Sequence, residues 1–335
     1  MGQLISQISS PTTVSPRLQL LEFYNCMISS WDLITSRITT LTTLNLDLFT
    51  IEPTPTTFQV LSILASNPAL RDVNLSMGVT RAGDGGGSPP PRAPLYHLKE
   101  LELDGQLQGV IGLLDRLELP RHMDVLDVLL DECAVEDISK IIGPYFREYL
   151  RHRGGSQLGL GLTISSDPTI YFKAGGVGGI DFSVPAPAQM TTFMEISIEF
   201  DQTPSKGQLE QAALDLISHL PREGVDHFRA SGVPVTVEEI SAQFPNLRGL
   251  HFGSVSLPAA FRRAIPDGHG EVFRHLQYIF LERVFVSSGD WGPLITFLLG
   301  RVRSGSLLHS LVIVGSYRVL PGITQEMVQE FRLNP

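Results

Sequence analysis

Apolar and polar residues alternate in short stretches that recur along this chain. In the stretch 18–26, Leu18, Leu21 and Phe23 fill the apolar positions of an L-x-x-L-x-L-x-x-C pattern, which Cys26 closes. Alternation sends successive side chains of a β-strand to opposite faces, so that one face enters a core and the other meets solvent. The stretch therefore predicts a half-buried strand.

The same spacing returns often enough to predict a repeat architecture. The clear copies begin at Leu41, Leu70, Leu98, Leu247, Leu276 and Leu308. Weaker copies lie at 123–128, 158–164, 193–198 and 225–228. Their starts are separated by intervals at or above the roughly 20 to 29 residues of leucine-rich repeats. We therefore predict leucine-rich repeats of irregular length.

Segments with helical periodicity lie between these strands, and several of them end at a proline. The predicted helices are 57–65, 109–119, 208–220 and 237–244. Because a helix-strand unit cannot bury both of its apolar faces alone, neighbouring units must stack to close a core. The predicted fold is α/β, a leucine-rich-repeat solenoid (horseshoe) with parallel strands on the concave face and helices on the convex face.

The glycine- and proline-rich segments of the chain predict its domain organisation. We expect an N-terminal tail or partial cap over 1–17 and one leucine-rich-repeat domain over 18–335. The glycine- and proline-rich stretch 81–94 predicts a disordered loop between repeats. The glycine-rich middle, about 165–190, predicts an irregular insertion or a hinge between two half-arrays. We favour one continuous array, because both halves carry the same unit.

Composition narrows the classes of partner and compartment. A formal net charge of -10 disfavours nucleic acid and favours basic protein partners. Two cysteines, Cys26 and Cys133, together with an N-terminus that lacks a signal peptide, predict a cytoplasmic or nuclear protein. Gly2 and Ser6 fit the loose N-myristoylation pattern, but a single acyl chain without a second signal predicts no stable membrane insertion. The other interpretation of this segment is a frayed tail.

The motifs of the common enzyme classes are absent from the sequence. Neither glycine cluster is followed by the Lys-Ser or Lys-Thr of a P-loop, and the chain has no H-E-x-x-H pair and no G-x-S-x-G motif. We therefore predict no catalytic residue, no metal site and no cofactor. Cys26 closes the repeat pattern, a position that predicts a buried structural thiol.

Strand alternation also predicts the binding surface. If Leu21 and Phe23 point inward, Glu22 and Tyr24 point outward on the concave face. The candidate partner-binding residues on this face are Glu22, Tyr24, Asp47, Asp72, Glu100, Glu102, Asp104, Asp127, Glu195, Glu199, Tyr278 and Phe280. Carboxylates on strands about 4.8 Å apart would form a ladder that attracts a basic partner. The alternative is that they only solvate exposed strand positions.

Near the C-terminus the outward positions become apolar. Tyr278 and Phe280, followed by Val312 and Val314 on the next strand, predict an apolar contact patch. Burial under a C-terminal cap formed by a helical segment at 324–331 explains the same pattern.

Short segments of the chain resemble a known family. The segments 15–18, 65–71, 117–120 and 244–248 resemble the leucine-rich part of F-box-like proteins of mushroom-forming (basidiomycete) fungi. The resemblance covers nearly the whole chain and implies that the repeats select a target protein. In that family an N-terminal F-box recruits the Skp adaptor of a cullin ubiquitin ligase. The residues before Leu18 do not resemble an F-box, which predicts either a repeat-only relative or an F-box upstream of Met1.

Two functions follow from these observations. The first is a non-enzymatic protein-protein interaction module that binds a partner through the concave face. The second is a substrate-recognition subunit of a Skp-cullin-F-box ubiquitin ligase whose F-box is missing or lies upstream.

Overall fold

A computed structural model of the chain describes residues 18–26, 31, 34, 38–48, 55–77, 91–120, 123–153, 158–165, 169–177, 190–261, 273–284, 291–306 and 308–314. The chain folds into two compact units, Met1–Cys133 and Ala134–Pro335. Both units are mixed α/β, and most of their strands are parallel. In the part of the chain that is described, every helix is too short or too polar to cross a membrane.

The first unit is a parallel sheet built in chain order. Its strands are β1 (Leu20–Tyr24), β2 (Thr43–Asp47), β3 (Asp72–Met77), β4 (Ala93–Pro94), β5 (Glu100–Gln106), β6 (Leu117–Glu118) and β7 (Val125–Cys133), and its helices are α1 (Thr57–Ser66) and α2 (Leu107–Leu114). The sheet order is β1-β2-β3-β5-β7, and the short strands β4 and β6 pair separately. The predicted strands at Leu18, Leu41, Leu70 and Leu98 are confirmed.

The apolar positions of these strands meet in register and form the core of the unit. Leu44 pairs with Val73, which pairs with Leu101, and Leu101 pairs with Leu126. All four side chains are buried. Each such side chain contributes roughly 1.5–3 kcal/mol relative to its exposed state. The alternation in the sequence therefore determines which face of the sheet is covered.

The helix α1 begins and ends as its sequence predicts. The Thr56 hydroxyl accepts from the Gln59 N–H, and the Gln59 side chain accepts from the Thr56 N–H, which closes a capping box. The helix ends at Ser66, and its C-cap residue, Asn67, directly precedes Pro68. The helix predicted at 109–119 is wrong in its bounds, because α2 ends at Leu114 and the following residues pair as β6 with β4.

The second unit contains both antiparallel and parallel strands. Its strands are β8 (Leu158–Ile164), β9 (Thr169–Val177), β10 (Met190–Phe200), β11 (Val225–Ser231), β12 (Gly249–Gly253), β13 (Tyr278–Glu282) and β14 (Ser310–Val314). A π-helical turn, Ile138–Ile142, leads into α3 (Gly143–Arg153), and the other helices are α4 (Lys206–His219), α5 (Val237–Gln243), α6 (Leu257–Phe261) and α7 (Gly292–Arg303). The strand order is β10-β9-β8-β11-β12-β13-β14.

The middle strands depart from the predicted parallel arrangement. β9 pairs antiparallel with both β8 and β10, whereas β8, β11, β12, β13 and β14 are parallel. The weak repeat copies at 158–164 and 193–198 are therefore strands of an antiparallel meander. The short connection from Ile164 to Thr169 explains this, since parallel strands need a crossover of a dozen or more residues.

Several predicted segments lie wholly or partly outside the described residues. The N-terminal tail 1–17, Gly2 and the C-terminal segment 324–331 lie wholly outside them. Of the predicted loop 81–94, the last residues are described, and Ala93–Pro94 form β4. Of the predicted insertion or hinge at 165–190, the described part includes β9, which is paired along both edges.

A common turn follows four of the strands. The residue after β1, β11, β12 or β13 has a left-handed backbone, and its N–H donates to the carbonyl of the last residue of the next strand at 2.8–2.9 Å. The four residues are Asn25, Gly232, Ser254 and Arg283. Because this conformation is costly for most side chains, its recurrence marks one turn geometry used in both units.

A second recurring feature is a tie, which is a set of side-chain hydrogen bonds from one turn to the turn before it. Near the ends of α1, α5 and α7, the buried side chains of Asn67, Gln243 and Arg301 donate to backbone carbonyls of the turn that precedes the previous strand. The acceptors are the carbonyls of Ile38, Leu220, Phe273 and Leu276, at 2.5–3.0 Å. These bonds satisfy buried backbone groups that the strands leave unpaired.

Candidate functional site

One face of the first unit's sheet carries polar side chains in register. We call it the acidic face and define it by Glu22, Asp47, Asp72, Glu100, Glu102, Asp104, Asp127 and Asp131, with Tyr24 at its β1 end. Glu100 and Glu102 are exposed, and Asp47, Asp72, Asp104 and Asp127 are half-buried. The face exists because the alternate positions of the same strands enter the core.

Register places carboxylates directly beside one another. Asp72 pairs with Glu100 across β3 and β5, and Glu102 pairs with Asp127 across β5 and β7. Neighbouring strands lie about 4.8 Å apart, so each pair holds two like charges at close range. The structure thus brings seven of the nine predicted acidic residues onto one surface; the other two are Glu195 and Glu199.

Neutral donors on the same face hold several of these carboxylates. The Asn74 amide donates to Glu102 Oε2 at 2.5 Å, the Ser76 hydroxyl to Asp104 Oδ2 at 3.0 Å, and the Thr43 hydroxyl to Asp72 Oδ2 at 3.3 Å. A neutral donor orients a carboxylate without cancelling its charge. Among the described residues, the outward positions of β1, β2, β3, β5 and β7 hold neither Lys nor Arg. The face is therefore strongly negative.

Tyr24 lies at the β1 end of the acidic face and joins its hydrogen-bond network. Its hydroxyl donates to Glu22 at 3.4 Å and accepts from the Asn45 amide at 2.7 Å. Partial desolvation, followed by the charge of Glu22, raises the pKa of the Tyr24 phenol. The phenol therefore stays neutral and serves as a hydrogen-bonding group beside the carboxylates.

Sequence alternation missed the acidic residues at the far end of β7. Asp131 pairs with Gln106 in the sheet, and the Gln106 amide donates to Glu132. Glu132 has a left-handed backbone, which interrupts the alternation there. The predicted copy at 123–128 ends before these residues, whereas β7 continues to Cys133. The length of β7 beyond residue 128 was the signal that could have identified Asp131 and Glu132.

Glu195 and Glu199 belong to the second unit and lie on β10. Glu195 Oε1 is 2.6 Å from Lys173 Nζ on the antiparallel partner β9, so it forms an ion pair. Glu199 is exposed and pairs in register with Thr169. Neither residue has a carboxylate as its described partner in the sheet, unlike the acidic pairs of the first unit.

The second unit carries a different surface around Tyr278 and Phe280. The Phe280 and His251 ring centroids are 4.6 Å apart, and those of Tyr278 and His309 are 5.7 Å apart. His227 pairs in register with Gly249, which pairs with Tyr278. We call His227, His251, Tyr278 and Phe280 the histidine-aromatic patch.

The two histidines of this patch are held neutral. Burial, and secondly the charge of Arg248, lower the pKa of His227 to about 4. Burial, and secondly Arg229, lower the pKa of His251 to about 3. His251 Nε2 lies 3.2 Å from Glu282, which would favour the charged ring, but desolvation outweighs this contact. The patch is therefore aromatic and uncharged at neutral pH.

Other clusters in the described residues offer no reactive geometry. A cleft of about 890 Å³ in the second unit is lined partly by arginines, but Arg147 donates to the Ser218 and His219 carbonyls at the end of α4. No three His, Cys, Asp or Glu side chains of the described part converge as a metal site would need. Cys26 is only half-buried, not buried as predicted, because it follows β1, which is the outermost of the described strands of its sheet. Its thiol contacts the Tyr24 carbonyl at 3.1 Å.

Comparisons of the chain with protein-family models, with curated proteins and with solved structures found no match.

Proposed function

We propose that the chain is a non-enzymatic protein-protein interaction module that binds a basic protein partner through the acidic face. The observation that carries this proposal is the register of like charges, Asp72 beside Glu100 and Glu102 beside Asp127. Adjacent like charges on a sheet repel each other and lower the stability of the fold. A basic partner would neutralise this repulsion, so binding such a partner is favoured.

We further propose that, within each compact unit, the strand-helix units are leucine-rich repeats stacked as a solenoid. Three features support this architecture: the order of parallel strands, the left-handed residue after several strands, and the buried ties made by Asn67, Gln243 and Arg301. In a solenoid each repeat contacts only its neighbours. These hydrogen bonds run from one turn to the adjacent turn and therefore join neighbouring repeats. An uncovered strand face is the surface that such folds use for binding.

The experiment that tests this function is partner capture with a charge-reversed face. The immobilised chain is used to capture partners from a cell extract, and mass spectrometry identifies them. Glu102→Lys combined with Asp104→Lys should weaken the captured complex about tenfold, because attraction to a basic surface becomes repulsion. The matched control is Glu136→Lys with Asp201→Lys, which changes the net charge equally outside the acidic face.

The outcomes separate the possible functions. Equal capture by the two double variants, with both still folded by circular dichroism, would remove the acidic face from the proposal. Weaker capture at high salt is expected, since ions screen exposed charges. Recovery of a Skp-type adaptor would instead support the ubiquitin ligase subunit that the family resemblance implies.

A further inference from the structure

We propose that the histidine-aromatic patch of the second unit is the docking site for this chain's own segment 323–331. That segment follows β14 and lies outside the described residues. The proposal is independent of the acidic face, because it concerns another surface and an intramolecular occupant.

The patch has the chemistry of a surface that is covered by an apolar segment. Phe280 pairs in register with Val312 on β14, and Val314 on the same strand is 43% exposed. His251 contributes an uncharged ring that packs against Phe280. Aromatic and aliphatic groups that share one sheet face favour burial against a partner element over contact with water.

Two arginines at the border of the patch favour an occupant that carries acidic groups. Arg229 pairs in register with His251, and Arg248 directly precedes Gly249, the register partner of His227. Each arginine lowers the pKa of the histidine beside it, Arg248 that of His227 and Arg229 that of His251. Arg229 pairs with Glu282 at 3.3 Å, but a guanidinium has five donors and can bind a second carboxylate. An occupant should therefore combine an apolar stripe with acidic groups along one side.

The segment 323–331 has this pattern. Ile323, Met327 and Phe331 recur every four residues, which predicts one apolar stripe if the segment is helical. Glu326 and Glu330 each precede a member of that stripe and would lie along one of its sides. The stripe fits the aromatic rings, and the glutamates complement the two arginines.

The chain can reach the patch from the end of β14. Nine residues, 315–323, lead from Val314 to Ile323, a length that spans at most roughly 30 Å. β14 is the immediate neighbour of β13, and β12 is the next strand, so the patch begins about 5–10 Å away. A tether this short gives an effective concentration in the millimolar range, and even a modest contact would be populated.

Photo-crosslinking in the full-length chain tests the proposal. The change Phe331→p-benzoylphenylalanine places a reactive group on the predicted stripe, and mass spectrometry maps its crosslinks. We expect intramolecular crosslinks to β12, β13 or β14. Crosslinks confined to other parts of the chain, crosslinks only between two molecules, or no crosslinks would each overturn the proposal.

A charge series makes the test specific. Glu326→Lys with Glu330→Lys should lower the crosslinking yield by roughly two- to fivefold, and Arg248→Glu should restore part of the loss. The matched control, Gln325→Lys with Gln329→Lys, adds lysines to the opposite side of the predicted helix and should leave the yield unchanged. Equal losses in the two double variants would contradict the docking geometry.

Discussion

The imidazole ring of His227 lies over the backbone of Gly249 on the adjacent parallel strand. A β-carbon built at Gly249 would overlap the ring, 2.7 Å from its Nε2 atom. Gly249 is also the register partner of Tyr278, so the absence of a side chain leaves space for His227 between two strands. The glycine is needed here for a close approach, because its φ angle is not among the left-handed ones.

This contact predicts a coupled pair of substitutions. Gly249→Ala should lower the free energy of unfolding by about 1–3 kcal/mol, because the methyl group forces the half-buried ring to move. In a His227→Ala background the same substitution should cost much less, since the ring is gone. Urea unfolding of the four proteins measures the coupling. An equal cost of Gly249→Ala in both backgrounds would show that the ring contact is not its cause.

The buried histidines predict that the protein loses stability in mild acid. In the unfolded chain His227 and His251 take up protons near pH 6.5, whereas in the folded chain they do so only near pH 4 and pH 3. Stability should therefore fall as the pH drops below about 6.5. Between pH 7.5 and 5.5 the expected loss is about 1.4 kcal/mol for each histidine.

Unfolding in urea at the two pH values measures this loss. His251→Gln keeps a neutral polar side chain and should remove about half of the pH dependence. Burial raises the pKa of Asp226, so this carboxyl takes up a proton at a higher pH in the folded chain than in the unfolded chain. Its protonation therefore stabilises the fold as the pH falls and offsets part of the loss caused by the histidines. Asp226→Asn is therefore the background that isolates the histidines. A pH dependence unchanged by His251→Gln would contradict the assignment.

The tie made by Asn67 predicts that shortening this side chain lowers the stability of the protein strongly. Its side chain accepts from the Leu41 N–H at 3.0 Å and donates to the Ile38 and Ile63 carbonyls at 3.0 and 2.8 Å. Asn67→Ala leaves buried backbone groups without partners and should cost about 2–4 kcal/mol, because each orphaned group costs about 1–3 kcal/mol. Thermal and urea unfolding measure the change. The exposed Asn246 is the control, and Asn246→Ala should have little effect; similar losses at both sites would reject the tie.

Like-charge register on the acidic face predicts a gain of stability on neutralisation. Glu102→Gln keeps an acceptor for the Asn74 amide and removes the repulsion from Asp127. We expect an increase of about 0.2–1 kcal/mol in the free energy of unfolding at low salt. The increase should shrink at high ionic strength, which screens exposed charges. A loss of stability, or a gain that is independent of salt, would mean that the carboxylate is locally compensated.

Local sequence was sufficient wherever one element decides its own structure. The alternation of Leu44 and Leu46 identified β2 and its buried face, and Pro68 identified the end of α1. The acidic face followed from the same alternation, because a side chain that cannot enter the core must point away from it. These patterns act over a few residues and do not depend on distant partners.

Pairing was the part that local sequence could not decide. Leu160 and Leu162 alternate as well in an antiparallel strand as in a parallel one, so the meander of β8, β9 and β10 was missed. Alternation groups Glu195 with the other acidic residues, but its register with β9 places Lys173 beside it. Partner identity depends on residues distant in sequence, and alternation contains no information about them.

The sequence by itself therefore determined most of the strands, most helix ends and the polar face of the first unit. Only the tertiary structure decided which strands are neighbours, and with that decision came His227 over Gly249 and Asp72 beside Glu100. The physical reason is that side-chain periodicity is a local property of the chain, whereas register is set by the packing of many elements at once.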